Sequence, residues 1–227
     1  MSNNSSVLLP GTFFEQEYKR KLEYLSRNNV NCVYLYDHSV NPSDNQKTVY
    51  KIKKSLSLLQ EYENKNFNLG LCVLNINSRK KDLLFSNFIN PMMEIENFKL
   101  GLGTGDKKYE NRNTKYSYDL DQIIHELINL YTFSSKGKNL FLGGTSKNKK
   151  ELVRKYSIGI NQWLGSSKDL ISFYKSLHQK QSLIGKFSQC LKPSITEVNL
   201  PKNFEKIFIL KDSNLGKFYS DVDKIFS

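Results

Sequence analysis

Short apolar runs alternate with longer amphipathic segments along almost the whole chain, and this alternation restricts the fold more than any other feature. The apolar runs are rich in β-branched and aromatic residues and end near Gly, Pro, Asn or Asp, which is typical of strands. The segments between them carry apolar residues three and four positions apart, which predicts helices with one buried face. The predicted strands are residues 7–9, 31–36, 68–76, 98–102, 139–142, 158–164, 182–191 and 206–210. The predicted helices are residues 13–28, 49–62, 82–93, 120–133, 149–156 and 170–177, followed by a terminal helix that ends at 226.

About eight strand–helix units result, with only a weak helix between the seventh and eighth strands. Regular alternation of this kind indicates parallel βαβ units. Eight units in 227 residues predict an α/β fold of the (β/α)8 or TIM-barrel type, near the lower end of its size range. A doubly wound open sheet is the alternative. Because no stretch has the composition of a linker, we expect a single domain over residues 1–227.

The composition limits which binding partners and which cellular compartment we expect for this chain. The formal net charge is +12, but the basic residues are spread along the chain and no nucleic-acid-binding motif or zinc-ligand spacing accompanies them, so we expect no nucleic acid and no metal. The three cysteines are far apart in apolar segments, which indicates reduced, buried thiols in a cytoplasmic protein. The chain begins without a signal-peptide pattern and has no apolar run of membrane-spanning length, so we expect no membrane partner.

Candidate site residues follow from the barrel prediction, because barrels bind ligands at the carboxyl ends of their strands. Turns are themselves rich in Gly, Ser, Asp and Asn, so each strand end alone also has a plain structural explanation. The predicted strand ends that combine polar and small residues are 37–38, 75–79, 103–106, 143–146 and 165–167.

The order of these strand ends resembles that of the luciferase-like flavin and deazaflavin enzymes. Val-Tyr-Leu-Tyr-Asp-His at 33–38 resembles the second strand of that family. Residues 68–106 resemble its longest motif, in which a strand, an Asn and an Arg, a helix and a further strand lead to Gly-x-Gly-x-Gly-Asp. Residues 139–145 resemble its phosphate-binding fifth strand, and residues 158–166 resemble its sixth. The likeness covers roughly residues 30 to 177, and the shared order is more specific than any single motif.

The resemblance implies an oxidoreductase that binds a flavin-like cofactor and transfers hydride to or from a small organic substrate. Gly-Asp-Lys at 105–107 is most similar to the methylenetetrahydromethanopterin reductases and other enzymes that use coenzyme F420, a 5-deazaflavin, so F420 is favoured over FMN. An FMN-dependent monooxygenase or reductase is one alternative. A non-catalytic flavin-binding paralogue is another, because the barrel is shortened after strand six, where residues 178–205 replace a longer insertion of the relatives.

Two residues are predicted to be catalytic. His38 can donate or accept a proton beside the ring, since its unperturbed pKa of about 6.5 suits proton transfer, and Asp37 precedes it. The alternative is a histidine that bonds to Asp37 and only fixes a turn.

The cofactor ring is predicted to contact three groups of residues. The resemblance implies a bulge with a cis peptide at Cys72–Val73 against the ring, although relatives often have Gly or Ser in place of Cys72. Asn75 can bond a ring carbonyl or amide, or it can cap the loop that follows. The loop over the ring consists of Gly103, Thr104, Gly105 and Asp106.

The phosphate is predicted to bind at Gly143, Gly144 and Thr145, which precede a helix and offer backbone N–H groups to an anion. A simple strand-to-helix turn, with Thr145 or Ser146 as the N-cap, is equally consistent with the sequence.

Dimerisation of the relatives through helices near strands two to four also implies a homodimer. The apolar residues Phe85, Phe88, Met92 and Met93 suit such an interface, and packing of the helix onto the barrel is the more frequent use of such residues.

Overall fold

Eight parallel strands form a closed barrel in chain order, so the predicted TIM barrel is confirmed. Each strand pairs with the next along the chain, and β8 pairs with β1 to close the barrel. The strands are β1 Ser5–Leu9, β2 Cys32–Leu35, β3 Asn68–Asn75, β4 Lys99–Gly103, β5 Asn139–Gly143, β6 Gly159–Gln162, β7 Phe187–Leu191 and β8 Glu205–Ile209. This computed structural model describes residues 4–37, 52–62, 66–105, 116–133, 138–178, 185–195, 198–211 and 213–226.

The helices pack their apolar faces on the outside of the barrel, in one core with the outward-facing strand residues. They are α1 Tyr18–Ser26, α2 Ile52–Gln60, α3 Lys81–Leu84, α4 Asn90–Glu94, α5 Leu120–Leu130, α6 Lys147–Tyr156, α7 Lys168–His178 and α8 Leu215–Phe226. No helix lies between β7 and β8 in the part of that connection that the structure describes, where the sequence predicts a weak one. Within the described ranges, no helix is both long and apolar enough to cross a membrane.

The predicted helix over 82–93 is divided by a π-helical turn, Phe85–Ile89, between α3 and α4. Pro91 explains the division, because a proline has no N–H to donate to the carbonyl four residues earlier. A widened turn with bonds to the fifth residue back accommodates the gap. The predicted helix over 13–28 is also divided, into a 3-10 helix at Gly11–Glu15 and α1.

The barrel interior is filled with side chains, as is usual in this fold. Large rings occupy the space above glycines on neighbouring strands: a Cβ on Gly70 would lie 2.6 Å from the Tyr34 ring, and one on Gly101 would lie 2.5 Å from the Phe141 ring. The buried apolar residues of the interior are Leu8, Cys32, Tyr34, Tyr36, Cys72, Phe141, Cys190, Ile207 and Ile209. All three cysteines are buried and free, as predicted.

A buried ion pair lies among the inward-facing residues at the amino ends of the strands. Lys99 Nζ is 2.8 Å from Glu205 Oε1, and the Glu205 carboxylate also accepts hydrogen bonds from Ser6, Asn31 and Tyr34. Burial opposes the ionisation of Glu205, but Lys99, Ser6 and Tyr34 outweigh burial and hold the Glu205 pKa below its ordinary value. Burial likewise opposes the charge of Lys99, and Glu205 raises the Lys99 pKa overall.

The apolar residues proposed for a dimer interface are used within the chain itself. Phe88, Met92 and Met93 are buried in the core between helix and barrel, and Phe85 is half-buried against the same core. Packing of the helix onto the barrel therefore accounts for them, and the homodimer stays a prediction.

Candidate active site

The carboxyl ends of β2 to β5 bring most of the predicted site residues to one end of the barrel. We call this end the barrel mouth and define it by Asp37, Val73, Asn75, Gly103 and Gly143. Two predicted site residues, His38 and Asp106, lie outside the described residues.

Val73 forms an apolar surface at the barrel mouth. The Cys72–Val73 peptide is cis, as the resemblance implies, and the pairing of β3 with β4 shifts register at this point. A Cβ on Gly103 would lie 2.6 Å from one Val73 methyl group, and a Cβ on Gly143 would lie 2.7 Å from the other. The two glycines therefore leave room for Val73, and the surface that results suits one face of a flat ring.

Asn75 carries a buried hydrogen-bond donor with no partner. Its side chain is 1% exposed, and its Oδ1 accepts a bond of 3.0 Å from the Asn77 N–H, so it caps the following turn. Its Nδ2 has no hydrogen-bond partner among the described residues. The Nδ2 lies beside Gly105, where a Cβ would be 2.7 Å away and where the backbone has a φ of 83°. Since buried polar groups are normally bonded, this donor is available to a ligand.

Asp37 is held by an arginine that sequence reasoning did not assign to the site. Arg79 Nη1 is 2.7 Å from Asp37 Oδ2, and Arg79 Nη2 is 2.9 Å from Asp37 Oδ1. The Asp37 carboxylate also accepts a bond of 3.1 Å from the Asn75 N–H. Both of its oxygens are thus engaged within the fold.

The loop after β4 is fixed by Asn77. Its Nδ2 donates to the Thr104 carbonyl at 3.1 Å, and its Oδ1 accepts from the Tyr118 N–H at 2.8 Å. Thr104 and Gly105 are therefore held beside Asn75 by side-chain bonds from the strand-three loop.

The turn from β5 into α6 brings together a left-handed glycine, a helix N-cap and a lysine, and the Gly144 N–H donates to the Asn161 carbonyl at 2.8 Å. Gly144 adopts a φ of 87°, and Ser146 is the N-cap of α6, so one of the two predicted capping residues has that role. Lys149 extends back from α6 and donates to the Gly143 carbonyl. Burial lowers the pKa of Lys149, and an anion beside its ammonium group would oppose that shift. Thr145 is half-buried between Gly144 and the cap.

Two residues after β6 extend the site beyond the predicted set. Trp163 and Leu164 are partly buried and pack on the interior cluster, as Val73 does. Trp163 lies within the predicted strand 158–164, two positions beyond Asn161, whose side chain bonds to Ser188 in the barrel interior. Arg79 lies in the predicted strand end 75–79 and is the Arg of the family-like motif, but its pairing with Asp37, 42 positions away, has no local signal.

The residues present fit a flat, polar-edged ring with an anionic tail. The ring would rest on Val73 and the glycine backbone, its edge would meet Asn75, and the tail would reach Gly143, Gly144 and Thr145. Among the described residues, no group of three or more His, Cys, Asp or Glu side chains is placed to hold a metal ion.

Fold and site together define an eight-stranded parallel α/β barrel with a candidate site at the carboxyl ends of its strands. No model of a known protein family matches the sequence, and no curated protein matches it. Among solved structures the chain is similar to an F420-dependent secondary alcohol dehydrogenase in complex with an F420–acetone adduct. The TM-score is 0.60 at 12% identity, over 85% of this chain and 69% of the other. At this identity the similarity concerns the fold.

Proposed function

We propose that this chain is an oxidoreductase that binds F420 at the barrel mouth and transfers hydride to or from a small organic substrate. The observation that carries the proposal is the unpaired Nδ2 of Asn75 beside the glycine-backed surface of Val73. The similarity in fold to a dehydrogenase that uses F420 supports the same conclusion.

The ring is held by the residues of β3 and β4. Val73 and the peptide that joins it to Cys72 support one face of the ring, and Asn75 Nδ2 donates to a polar atom at its edge. Gly103, Thr104 and Gly105 form the loop beside it, and Asp106 is predicted to complete that loop. A ring placed in this way would satisfy the one polar atom of Asn75 that the fold leaves unpaired.

The phosphate group of the cofactor is held at the start of α6. The backbone of Gly143, Gly144 and Thr145 leads to the amino end of the helix, where N–H groups and the helix dipole favour an anion; the Gly144 N–H itself donates to the Asn161 carbonyl at 2.8 Å. Lys149 already lies beside Gly143 and supplies a positive charge at this point.

Proton transfer to or from the substrate is assigned to His38, which follows the end of β2, because the unperturbed pKa of a histidine, about 6.5, suits proton transfer. The sequence predicts that Asp37 shares in this chemistry. When bound, F420 supplies the carbon centre that accepts or releases hydride. Trp163 and Leu164 provide apolar surface near the ring, so we expect a substrate with an apolar portion.

The test uses Trp163, which is the only tryptophan of the chain. Purified protein is titrated with F420 and, separately, with FMN while tryptophan fluorescence is followed. We expect saturable quenching by F420 and weaker quenching by FMN, and Asn75→Ala should weaken the binding. Asn129→Ala is the matched control, because Asn129 is an exposed asparagine on α5.

Two results would change the proposal. Preference for FMN would place the chain with the FMN-dependent monooxygenases or reductases. Absence of binding of either cofactor up to about 100 μM, which corresponds to about 5.5 kcal/mol, would contradict the cofactor site.

A non-catalytic flavin-binding paralogue is the second candidate, and one observation favours it. The described residues between β7 and β8 contain no helix, in keeping with the shortening after strand six that the sequence predicts. In that case the wild-type chain would bind the cofactor without turnover, and His38→Ala would leave the binding unchanged. The homodimer and the cytoplasmic location stay predictions.

A further inference from the structure

The Asp37–Arg79 pair connects the ends of two strands at the barrel mouth. Two parallel bonds of 2.7 and 2.9 Å join the guanidinium to the carboxylate. The side chains are 8% exposed for Asp37 and 18% for Arg79, so the pair is largely shielded from water. A bidentate pair of this kind fixes orientation as well as distance.

The same pair holds the backbone of Asn75 on both sides. Asp37 Oδ2 accepts from the Asn75 N–H at 3.1 Å, and Arg79 Nη1 lies 3.4 Å from the Asn75 carbonyl oxygen. With Oδ1 bonded to Asn77, every polar atom of Asn75 except Nδ2 is engaged. The direction of that free donor is therefore determined by the Asp37–Arg79 pair and by the Asn77 cap.

Arg79 is itself held from the other side by an aromatic ring. Its guanidinium carbon lies 4.3 Å from the centroid of the Phe88 ring. Phe88 belongs to the π-helical turn that precedes Pro91, so the irregular helix after β3 supplies the surface on which Arg79 rests. Turns of this type are frequent at functional sites.

We propose that Arg79 and Asp37 are positioning residues that fix the Asn75 Nδ2 donor for the cofactor ring, an inference that rests on the function proposed above. It gives Asp37 a role different from the proton transfer that the sequence predicts. A lysine cannot replace Arg79 in this role, because an ammonium group neither forms the two parallel bonds nor stacks on Phe88 in the same way.

A double-mutant cycle on cofactor binding tests the proposal. The variants are Arg79→Lys, Asn75→Ala and the two combined, each titrated with F420, or with FMN if the wild-type chain prefers it. We expect each single change to raise Kd about tenfold and the combination to raise it no further, because residues in one network are not additive. Arg154→Lys is the control. Arg154 is an exposed residue of α6 and, like Arg79, stacks on a phenylalanine, with its guanidinium carbon 4.9 Å from the centroid of the Phe173 ring.

A second measurement needs no cofactor. The side-chain amide signals of Asn75 in a ¹H–¹⁵N spectrum, assigned by their loss in Asn75→Ala, should shift or broaden in Arg79→Lys and stay unchanged in Arg154→Lys. A merely structural role for Arg79 would lower the melting temperature without moving these signals.

The outcomes separate the two proposals. If the wild-type chain binds neither cofactor, the proposed function fails, and the amide signals alone decide whether Arg79 positions Asn75. If it binds but the two single effects multiply in the combined variant, Arg79 does not act through Asn75 and the inference is overturned. Unchanged amide signals in Arg79→Lys overturn it as well.

Discussion

At the scale of single residues, the barrel mouth depends on the absence of a side chain at two of its glycines. Gly103 and Gly143 lie on adjacent strands, and the methyl groups of Val73 occupy the places where their side chains would begin. Val73 comes from a third strand, so three strands together shape one small surface. A cofactor that rests on this surface is sensitive to a single added carbon atom.

Gly103→Ala is predicted to displace Val73 and to weaken both folding and cofactor binding. The new methyl group would lie 2.6 Å from a Val73 methyl, and overpacking of this kind costs about 1–3 kcal/mol. Chemical denaturation and the fluorescence titration measure the two effects. Adding Val73→Ala should restore much of the lost stability but not the binding.

Gly216→Ala is the matched control for this prediction. Gly216 lies in α8, and a Cβ there would meet no atom closer than 3.8 Å. Alanine in a helix is favoured over glycine by up to about 1 kcal/mol, so this variant should be as stable as the wild type or more stable. Equal loss of stability in Gly103→Ala and Gly216→Ala would contradict the proposed contact with Val73.

The sequence predicts those site residues well that directly follow a predicted strand, because their position along the chain is enough to place them. Asn75 and the glycines follow predicted strands, and the barrel then brings them to one end. The pairing of Arg79 with Asp37 could not be predicted in this way, because it depends on how the ends of β2 and β3 meet in space. The position of Val73 over two glycines likewise depends on the register of three strands.

At the scale of elements, the ion pair between Lys99 and Glu205 links β4 to β8 through the barrel interior. The two strands are not neighbours in the sheet, so this contact adds a connection that backbone pairing does not supply. Ser6 on β1 and Tyr34 on β2 bond to the same carboxylate. Four strands are thus joined at one buried charge.

Glu205→Gln is predicted to destabilise the fold by about 3–5 kcal/mol at neutral pH, because Lys99 would be left buried without its counter-ion. The Glu205 pKa is lower in the folded chain than its ordinary value. Its stabilisation is therefore present above the ordinary glutamate pKa of about 4.3 and is lost as the pH falls through the folded value. Denaturation curves from pH 7 to pH 3 should show less pH dependence in Glu205→Gln than in the wild type.

Glu17→Gln is the control for this experiment, since Glu17 forms an exposed pair with Arg20, and such pairs contribute little. Lys99→Met combined with Glu205→Leu should be more stable than Glu205→Gln, because it leaves no buried charge. Equal effects of Glu205→Gln and Glu17→Gln at neutral pH would show that the buried pair does not stabilise the barrel.

The elements themselves were largely predictable from periodicity, and the differences have local causes. All eight strands form close to their predicted positions, and the terminal helix ends at Phe226 as expected. β7 begins at Phe187, later than predicted, because the apolar run before it contains Gly185. Pro91 is predicted to end or kink its helix, and it does so through a π-helical turn, a form that the sequence alone does not specify.

At the scale of the whole molecule, closure of the barrel makes its two ends depend on each other. β8 pairs with β1 from Ser5 to Leu8, and it also pairs with β7. Every strand therefore has two neighbours, and β1 and β8 cannot form their full set of backbone bonds unless both the first and the last parts of the chain are folded. The alternation of strands and helices predicts this architecture, whereas the chemistry depends on side chains at the strand ends.

The closed barrel predicts that residues 1–227 unfold as one domain. Trp163 reports on the barrel mouth after β6 and is the only tryptophan, while far-ultraviolet circular dichroism reports on the helices and strands of the whole chain. In a two-state transition both probes give the same midpoint and the same free energy of unfolding. We therefore expect coincident curves in urea. A Trp163 transition at clearly lower urea than the circular dichroism transition would show that the carboxyl-terminal strands separate first, and the single-domain assignment would then be wrong.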